Sequence, residues 1–216
     1  QASFGVVQLG RSVPDPKNKL HVTFVRGPIV FAARAINNEA TPAIALAYLS
    51  AYLHKFGYET TIVDAIGEGL NRVWPNEKYP GFLCHGLTFS EVVERIPPET
   101  DVIAFSGMFS GEWPVSRDLI LQVRRRFPKA LFVAGGEHIT AMPEYSLRDC
   151  PALNVCVRGE GEHTLYELLE SYLETGGYRL VAGIGYLDQD GVYQENGGLP
   201  RIKDAAGIPW PHWPEG

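Results

Sequence analysis

The sequence predicts an α/β protein whose core is a doubly wound, parallel sheet of five strands, followed by a small C-terminal β-hairpin. Short apolar runs alternate along the chain with segments of helical periodicity, which is typical of repeated β-α-β units. Two of these runs end in glycine–acid turns, Gly135-Gly136-Glu137-His138 and Arg158-Gly159-Glu160-Gly161. Parallel strands that end in this way place a ligand-binding edge at their carboxyl ends.

Five apolar runs are predicted as strands, at residues 20–25, 59–64, 101–106, 130–134 and 154–157. The predicted helices cover residues 41–56, 88–96, 114–127, 143–149 and 160–174. Thr41 and Pro42 are typical of a helix start, and Gly57 and Gly176 are typical of helix ends. Right-handed crossovers then give the strand order 2-1-3-4-5, a Rossmann-like sheet of the flavodoxin type. Its switch point lies between strands 1 and 3, where the loops after Val25 and Ser106 face each other.

The chain is predicted to contain an N-terminal extension at residues 1–19, a core domain at 20–178 and a C-terminal segment at 179–216. The extension has few periodic apolar positions. In the C-terminal segment, two short β-type runs flank Asp190-Gly191, which is a hairpin signal. The tail is a proline-rich linker, with prolines at 200, 209, 211 and 214.

The composition argues against several classes of function. The 216 residues carry a net charge of −6, whereas a nucleic-acid-binding surface needs clustered basic residues. The one basic run, Arg124-Arg125-Arg126, is expected on the solvated face of a helix. Three cysteines without framework spacing, no apolar run of membrane-spanning length and no signal-peptide pattern favour a cytoplasmic protein that does not bind membranes.

A long irregular stretch, residues 65–87, follows the second strand at the predicted ligand edge. A loop of this length inside a compact domain is usually functional or disordered. Its large side chains, Arg72, Trp74 and Tyr79, are suited to stacking on a flat ligand. The alternative is a surface excursion whose Trp74 only packs on the domain.

Candidate site residues follow the third, fourth and fifth strands. Ser106, with Gly107, Met108, Phe109 and Ser110, offers a hydroxyl and backbone amides, although a serine that merely closes a strand is the alternative. Ala134, Gly135, Gly136, Glu137 and His138 form a second group, in which two glycines leave room for a flat group or simply make a tight turn. Gly159 and Glu160 form the third group. They are interpreted either as a helix cap or as a contact to the ligand.

These turns predict a slot between the ends of strands 3 and 4, which Gly136→Val should fill without unfolding the domain. The six histidines have no zinc-binding spacing, so no metal ligand is predicted. No nucleophile elbow or phosphate loop is present, which argues against a small α/β hydrolase or a phosphatase-like enzyme. No catalytic residue is assigned.

Several segments, in this order, resemble the cobalamin-binding domains attached to radical S-adenosylmethionine enzymes. The resemblance rests on Pro42-x5-Tyr48-Leu49-x3-Leu53-x3-Gly57-x6-Asp64, 101–106, Ala134-Gly-Gly-Glu-His138, Pro143-Glu144 and Val157-Arg-Gly-Glu-Gly-Glu-His-Thr-Leu165. In the tail, 182–186 and 208–213 are similar to the strap that leads into the radical domain. Together these segments cover roughly residues 20–213.

The resemblance implies that the chain binds cobalamin and presents methylcobalamin to a radical domain in the same parent polypeptide, for methyl transfer. The loop 26–41 lacks the histidine that binds cobalt in the methionine-synthase type, so cobalamin would be base-off without a histidine ligand. Arg72 or Trp74 would then cover the lower face of the corrin. Because the motif Cys-x3-Cys-x2-Cys is absent, the iron–sulfur cluster and S-adenosylmethionine would belong to a missing domain. The alternative is a cofactor-free interaction or regulatory module.

Overall fold

The computed structural model describes residues 19–35, 40–198 and 207–213. Its strands are β1 (His21–Arg26), β2 (Ile29–Ala32), β3 (Glu59–Asp64), β4 (Val73–Pro75), β5 (Phe82–His85), β6 (Val102–Ser106), β7 (Leu131–Gly135), β8 (Val155–Val157), β9 (Ile184–Leu187) and β10 (Tyr193–Glu195). Its α-helices are α1 (Ile44–Lys55), α2 (Phe89–Arg95), α3 (Trp113–Arg126), α4 (Glu137–Ala141), α5 (Pro143–Asp149) and α6 (Gly161–Thr175). The predicted extension, apart from Lys19, and Pro200 and Pro214 lie outside the described residues.

The main sheet has the order β10-β9-β8-β7-β6-β1-β3. Its five parallel strands, β3, β1, β6, β7 and β8, confirm the predicted doubly wound arrangement and its order 2-1-3-4-5. The hairpin β9–β10 also forms at the predicted Asp190-Gly191 turn, but β9 pairs antiparallel with β8. The hairpin therefore extends the sheet to seven strands instead of standing beside it.

Both faces of the sheet are covered, which explains why the central strands are continuous apolar runs. On one face, α1 and α6 pack on side chains such as Phe24, Val133 and Val157. On the other face, α2, α3, α4 and α5 pack on side chains such as Val25 and Phe132. Because side chains alternate along a strand, a residue's position in the strand decides which helix layer it meets.

The stretch predicted as an irregular loop contains regular structure. Within it, β4 and β5 pair with each other, and β2, from the loop after β1, joins β5 in a three-stranded antiparallel sheet. We refer to β2, β4 and β5 as the small sheet. Tyr79, between β4 and β5, donates its hydroxyl to Asp118 of α3 at 3.0 Å. The small sheet is thus fixed against the helix layer.

Three helix boundaries test the predicted caps. The helix ends at Gly57 and Gly176 are confirmed, with φ values of 80° and 70° that favour glycine. The start of α1 differs from the prediction, because the helix begins at Ile44 and Ala43 is its N-cap residue, without a side-chain cap. The carbonyl oxygen of Thr41 instead accepts a 2.6 Å hydrogen bond from the Arg26 guanidinium.

The predicted solvated face of the basic run is wrong for one of its three residues. Arg125 and Arg126 are exposed, but Arg124 is partly buried with its guanidinium 3.5 Å from the centre of the Phe132 ring. It donates to the carbonyl oxygens of Ala130 and Ala152, at 2.7 Å each. Burial lowers the pKa of Arg124 to about 10, so the group is still charged at neutral pH.

The three cysteines are free and buried.

Within the described residues, no helix combines the length and the apolar character needed to span a membrane.

Candidate functional site

The carboxyl ends of β6 and β7 lie side by side at the centre of the sheet. Ser106 pairs with Gly135, and the Gly107 N–H donates to the Gly135 carbonyl at 2.7 Å. The two strand ends are therefore hydrogen-bonded to each other, and no gap separates them. The predicted slot therefore does not open between these paired residues.

Alternation of the side chains places Ser106 and Gly135 on the face of the sheet that α1 and α6 cover. Ala104 and Val133, two residues earlier in each strand, belong to that side of the core. A Cβ atom at Gly135 would lie 3.7 Å from the Val157 carbonyl oxygen, an ordinary contact distance, so a small group fits there without a clash. The half-buried Ser106 hydroxyl has no hydrogen-bond partner among the residues that the structure describes. This face of the edge can therefore accept a group that bonds to Ser106.

Gly136 has a different role from Gly135. Its φ is +116°, and a Cβ atom there would lie 2.6 Å from the Gly107 carbonyl oxygen. Glycine is required at this position because both the backbone conformation and the close approach of the Gly107 carbonyl exclude a side chain. Gly136 is the N-cap residue of α4 and allows the tight turn into that helix.

The turn after β6 is exposed. Met108 and Phe109 have 40% and 64% of their surfaces accessible, and Ser110 is exposed as well. Large apolar side chains at a strand-end turn provide a surface on which a flat ligand can rest. This turn is the most accessible part of the predicted site.

His138 is not available to a ligand. Its side chain is buried at 4% exposure, and its ring packs on Trp113 with centroids 4.9 Å apart. Burial lowers the pKa of His138, which favours the neutral ring. Ala134 also points away from the α1 and α6 side, into the opposite half of the core. Glu137, in contrast, is exposed in the first turn of α4.

The turn after β8 is held by a hydrogen bond from its backbone and by an ion pair of Arg158. Gly159 has a φ of +72°, and its N–H donates to the Thr140 hydroxyl at 2.9 Å. Glu160 is exposed and occupies the N-cap position of α6 without a side-chain capping bond. Arg158 turns back toward the hairpin and pairs with Glu195 at 2.8 Å. Gly159 and Glu160 thus stay at the accessible edge, whereas Arg158 anchors β10.

The structure places Arg72 and Trp74 away from these turns. The Arg72 guanidinium pairs with Glu91 of α2, and the Trp74 indole N–H donates to the Gly86 carbonyl at 3.2 Å. The Trp74 ring also packs edge-on against Phe89. Both side chains therefore fasten the small sheet to α2 and do not meet the other candidate residues.

A polar group that the sequence reasoning missed lies at the switch point between β1 and β6. Arg26, at the end of β1, bonds Thr41 and lies 3.6 Å from the Asp64 carboxylate. Glu112, at the start of α3, accepts a hydrogen bond from the Val30 N–H. Burial raises the pKa of the Glu112 carboxyl, although this bond and the charge of Arg26 act in the opposite direction. In the sequence, this polar group could have been found from Arg26, which directly follows a buried strand. These contacts fix Val30 and Thr41 at the same edge as Ser106.

No cluster of three or more histidine, cysteine or acidic side chains able to hold a metal occurs in the described part of the chain. His21 and His54 bond to threonines of β3, and His85 bonds to the Leu70 carbonyl. His163, on the exposed side of α6, faces Glu167 at 3.9 Å. The edge is made of backbone groups, two serine hydroxyls and apolar side chains at the carboxyl ends of parallel strands, which is where cofactor-holding domains of the doubly wound class bind their ligands.

Comparison with known proteins identifies the family within this class. Residues 38–169 match the model of the B12 binding domain, and the chain belongs to that family. It is 31% identical over 164 residues to the cytidylyl-2-hydroxyethylphosphonate methyltransferase of Streptomyces wedmorensis, a match that covers 76% of this chain and 30% of the relative. It is 29% identical over 177 residues to the anaerobic magnesium-protoporphyrin IX monomethyl ester cyclase of Cereibacter sphaeroides, covering 80% of this chain and 26% of that protein. The chain thus spans about a third or less of the length of these relatives.

Solved structures agree on the fold. The cobalamin-dependent S-adenosylmethionine radical enzyme OxsB, with aqua-cobalamin and S-adenosylmethionine bound, superposes with a TM-score of 0.68 at 18% identity, over 89% of this chain and 24% of OxsB. The radical S-adenosylmethionine methyltransferase TsrM of Kitasatospora setae, with cobalamin and a [4Fe-4S] cluster bound, gives 0.60 at 16% identity, over 86% of this chain and 30% of TsrM.

Proposed function

We propose that this chain holds cobalamin at the carboxyl edge of its main sheet and presents it to a second domain. The observation that carries the proposal is the side-chain-free backbone at Gly135 beside the unpartnered Ser106 hydroxyl, in a chain of the B12-binding family. The groups proposed to contact the cofactor are the turn 106–110, the turn 135–137 and Gly159-Glu160.

The residues at this edge fit the chemistry of cobalamin. A corrin ring is broad and apolar on its faces, whereas its rim carries carboxamides and its tail carries a phosphate. Exposed Met108 and Phe109 suit the apolar part. Ser106, Ser110 and the backbone amides of the glycine turns suit the polar groups. His138 and Ala134 are proposed to support these turns from behind.

We further propose that the parent polypeptide is a cobalamin-dependent radical enzyme that transfers methyl groups. Cobalamin, when bound, supplies a cobalt–carbon bond from which a methyl group can leave. The proposal is supported by the methyltransferase relatives and by the radical enzymes among the structural neighbours, which are several times longer than this chain. The iron–sulfur cluster and S-adenosylmethionine would be bound by the domain that this chain does not contain. The cytoplasmic location stays a prediction.

The first test is binding of cobalamin itself. We expect the purified chain, mixed with hydroxocobalamin and desalted, to retain the cofactor's absorbance in about equimolar amount. A chain that elutes colourless, while circular dichroism shows it folded, would favour the alternative of a cofactor-free interaction module. A Ser106→Ala variant provides the matched comparison, and we expect it to retain less cofactor because the unpartnered hydroxyl is lost.

The second test concerns the lower axial position of cobalt. We propose that no histidine ligates cobalt, because His138 is buried and the loop 26–41 contains no histidine. Electron paramagnetic resonance of the cob(II)alamin form should therefore lack superhyperfine splitting from an axial nitrogen. A clear three-line nitrogen pattern would show that the cofactor's own base or a histidine is bound to cobalt.

Arg72 and Trp74 enter the proposal in an indirect role. Both are held against α2, so we propose that they contribute to cofactor binding by fixing the small sheet. The lower-face group is then sought at the switch point, where Arg26 bonds Thr41.

A further inference from the structure

His138 lies directly behind the exposed turn that follows β6. Its backbone N–H is shared between the carbonyl oxygens of Gly107 and Met108, at 3.2 Å each. Its ring Nδ1 lies 2.9 Å from the Ser110 hydroxyl oxygen. One buried residue thus contacts three of the residues that form the accessible turn.

The direction of the hydrogen bonds through the ring follows from Ser146 on α5. The Ser146 hydroxyl donates to the Met142 carbonyl at 2.8 Å, so its one hydrogen is already used. His138 Nε2, 3.3 Å from the Ser146 oxygen, must therefore be the donor in that contact. In a neutral ring Nδ1 is then an acceptor, and the Ser110 hydroxyl donates to it.

The surroundings keep the ring neutral. Burial lowers the pKa of His138, and Trp113 covers one face of the ring. Asp149 accepts from the Trp113 indole N–H and is paired with Arg117 at 3.0 Å, so this nearby carboxylate is already compensated. Tyr145 of α5 packs edge-on against the ring. The other titratable groups on the elements around it are Glu137 of α4, Glu144 and Arg148 of α5, Asp118 and the basic run 124–126 of α3, and Glu112 at the N-cap of α3.

We propose that His138 is a positioning residue for cofactor binding, which orients the Ser110 hydroxyl as an acceptor toward the carboxamide N–H groups of the corrin rim. This inference rests on the proposed function and deepens it. Because the hydrogen of Ser110 points inward to Nδ1, only the lone pairs of its oxygen face the open edge. The same bond holds the turn 108–110 in place for Met108 and Phe109.

Protonation of the ring reverses this arrangement. With both ring nitrogens as donors, the Ser110 oxygen accepts from Nδ1 and its own hydrogen turns toward the open edge. A donor then faces the carboxamide N–H groups. The affinity for cobalamin should therefore fall as the pH falls below the ordinary histidine range, through the lowered pKa of His138.

Two substitutions of His138 separate the effects of the two hydrogen bonds that its ring makes. In His138→Asn the amide oxygen can replace Nδ1 as acceptor for Ser110, whereas in His138→Gln the longer amide can replace Nε2 as donor to Ser146. Both variants lose the ring's packing on Trp113. In titrations with hydroxocobalamin followed by absorbance, we expect His138→Gln to bind about fivefold more weakly than the wild type and His138→Asn to stay within about twofold.

Ser110→Ala should bind about fivefold more weakly as well, and adding His138→Gln to it should cause no further loss. The affinity of Ser110→Ala should also be independent of pH between 5 and 7, unlike that of the wild type. Equal affinities of His138→Asn and His138→Gln, or a pH dependence that persists in Ser110→Ala, would overturn the proposal.

A measurement without ligand separates this inference from the proposed function. The amides of Glu112 and Trp113, which close the turn by donating to Phe109 and Ser110, should exchange faster in His138→Gln than in His138→Asn. If this contrast is seen but the wild type does not bind hydroxocobalamin, the proposed function fails while the positioning of the turn stands. If the wild type binds and the contrast is missing, only the positioning role of His138 fails.

Discussion

Replacing Gly136 by valine should strongly destabilise the domain, and not merely block the cofactor. The backbone at Gly136 has a φ of +116°, which a β-branched residue does not adopt without strain, and its Cβ would lie 2.6 Å from the Gly107 carbonyl oxygen. Relief of the clash would break the hydrogen bond between the Gly107 N–H and the Gly135 carbonyl. We expect a loss of about 3 kcal/mol or more in the free energy of unfolding, measured by chemical denaturation.

Gly135→Ala is the matched control for this prediction. The added methyl group would meet nothing closer than 3.7 Å, so the free energy of unfolding should change by less than about 1 kcal/mol. The same methyl group occupies the space beside Ser106, and we expect the retention of hydroxocobalamin to fall. If Gly136→Val is as stable as the wild type, or if Gly135→Ala is the less stable of the two, the assignment of the two glycines is wrong.

The second large effect is expected from Arg124→Met. The guanidinium bonds the carbonyls of Ala130 and Ala152 and the Asn154 side chain, and thereby joins the segments that lead into β7 and β8. Methionine fills a similar volume over Phe132 but leaves the Ala130 and Ala152 carbonyls without this donor, while the Asn154 oxygen keeps its hydrogen bond from the Phe132 N–H. We expect a loss of about 3 kcal/mol in the free energy of unfolding, since hydrogen bonds from a charged donor are among the stronger ones.

Arg125→Met is the comparison, because Arg125 is exposed on the same helix and the substitution removes the same charge. Its effect should be within about 0.5 kcal/mol. The denaturation midpoints of the two variants measure the difference. Similar midpoints would mean that the bonds of Arg124 contribute no more than a surface charge does.

The main sheet could be predicted because its signals are local. Each buried strand is a short apolar run, the helices between them have clear ends such as Gly57 and Gly176, and the handedness of crossovers fixes the order. The small sheet could not be predicted in this way. Its strands have three or four residues each, and β2 pairs with β5 across about fifty positions of sequence, with no hairpin signal between them.

Within the candidate site, the position of the turns was predictable but the direction of their side chains was not. Gly135 and Gly136 look equivalent in the sequence, yet one opens a space and the other enables a turn. His138 looked accessible beside two glycines, but the helix α4 that begins at Glu137 turns its ring toward Trp113. Arg124 looked exposed because it stands in a basic run, and its burial depends on carbonyls distant in sequence. Such outcomes depend on non-local packing, which a single sequence does not specify.

The pairing of β9 with β8 has a consequence for solubility. The strand β8 is Val155-Cys156-Val157, entirely apolar and buried, and β9 covers the side that β7 leaves open. A polypeptide cut after residue 178 would expose this uncharged strand as an edge, which is a template for intermolecular pairing. The smallest piece of the protein that stays monomeric in solution should therefore extend at least through Glu195, whose pairing with Arg158 ties the hairpin to the end of β8.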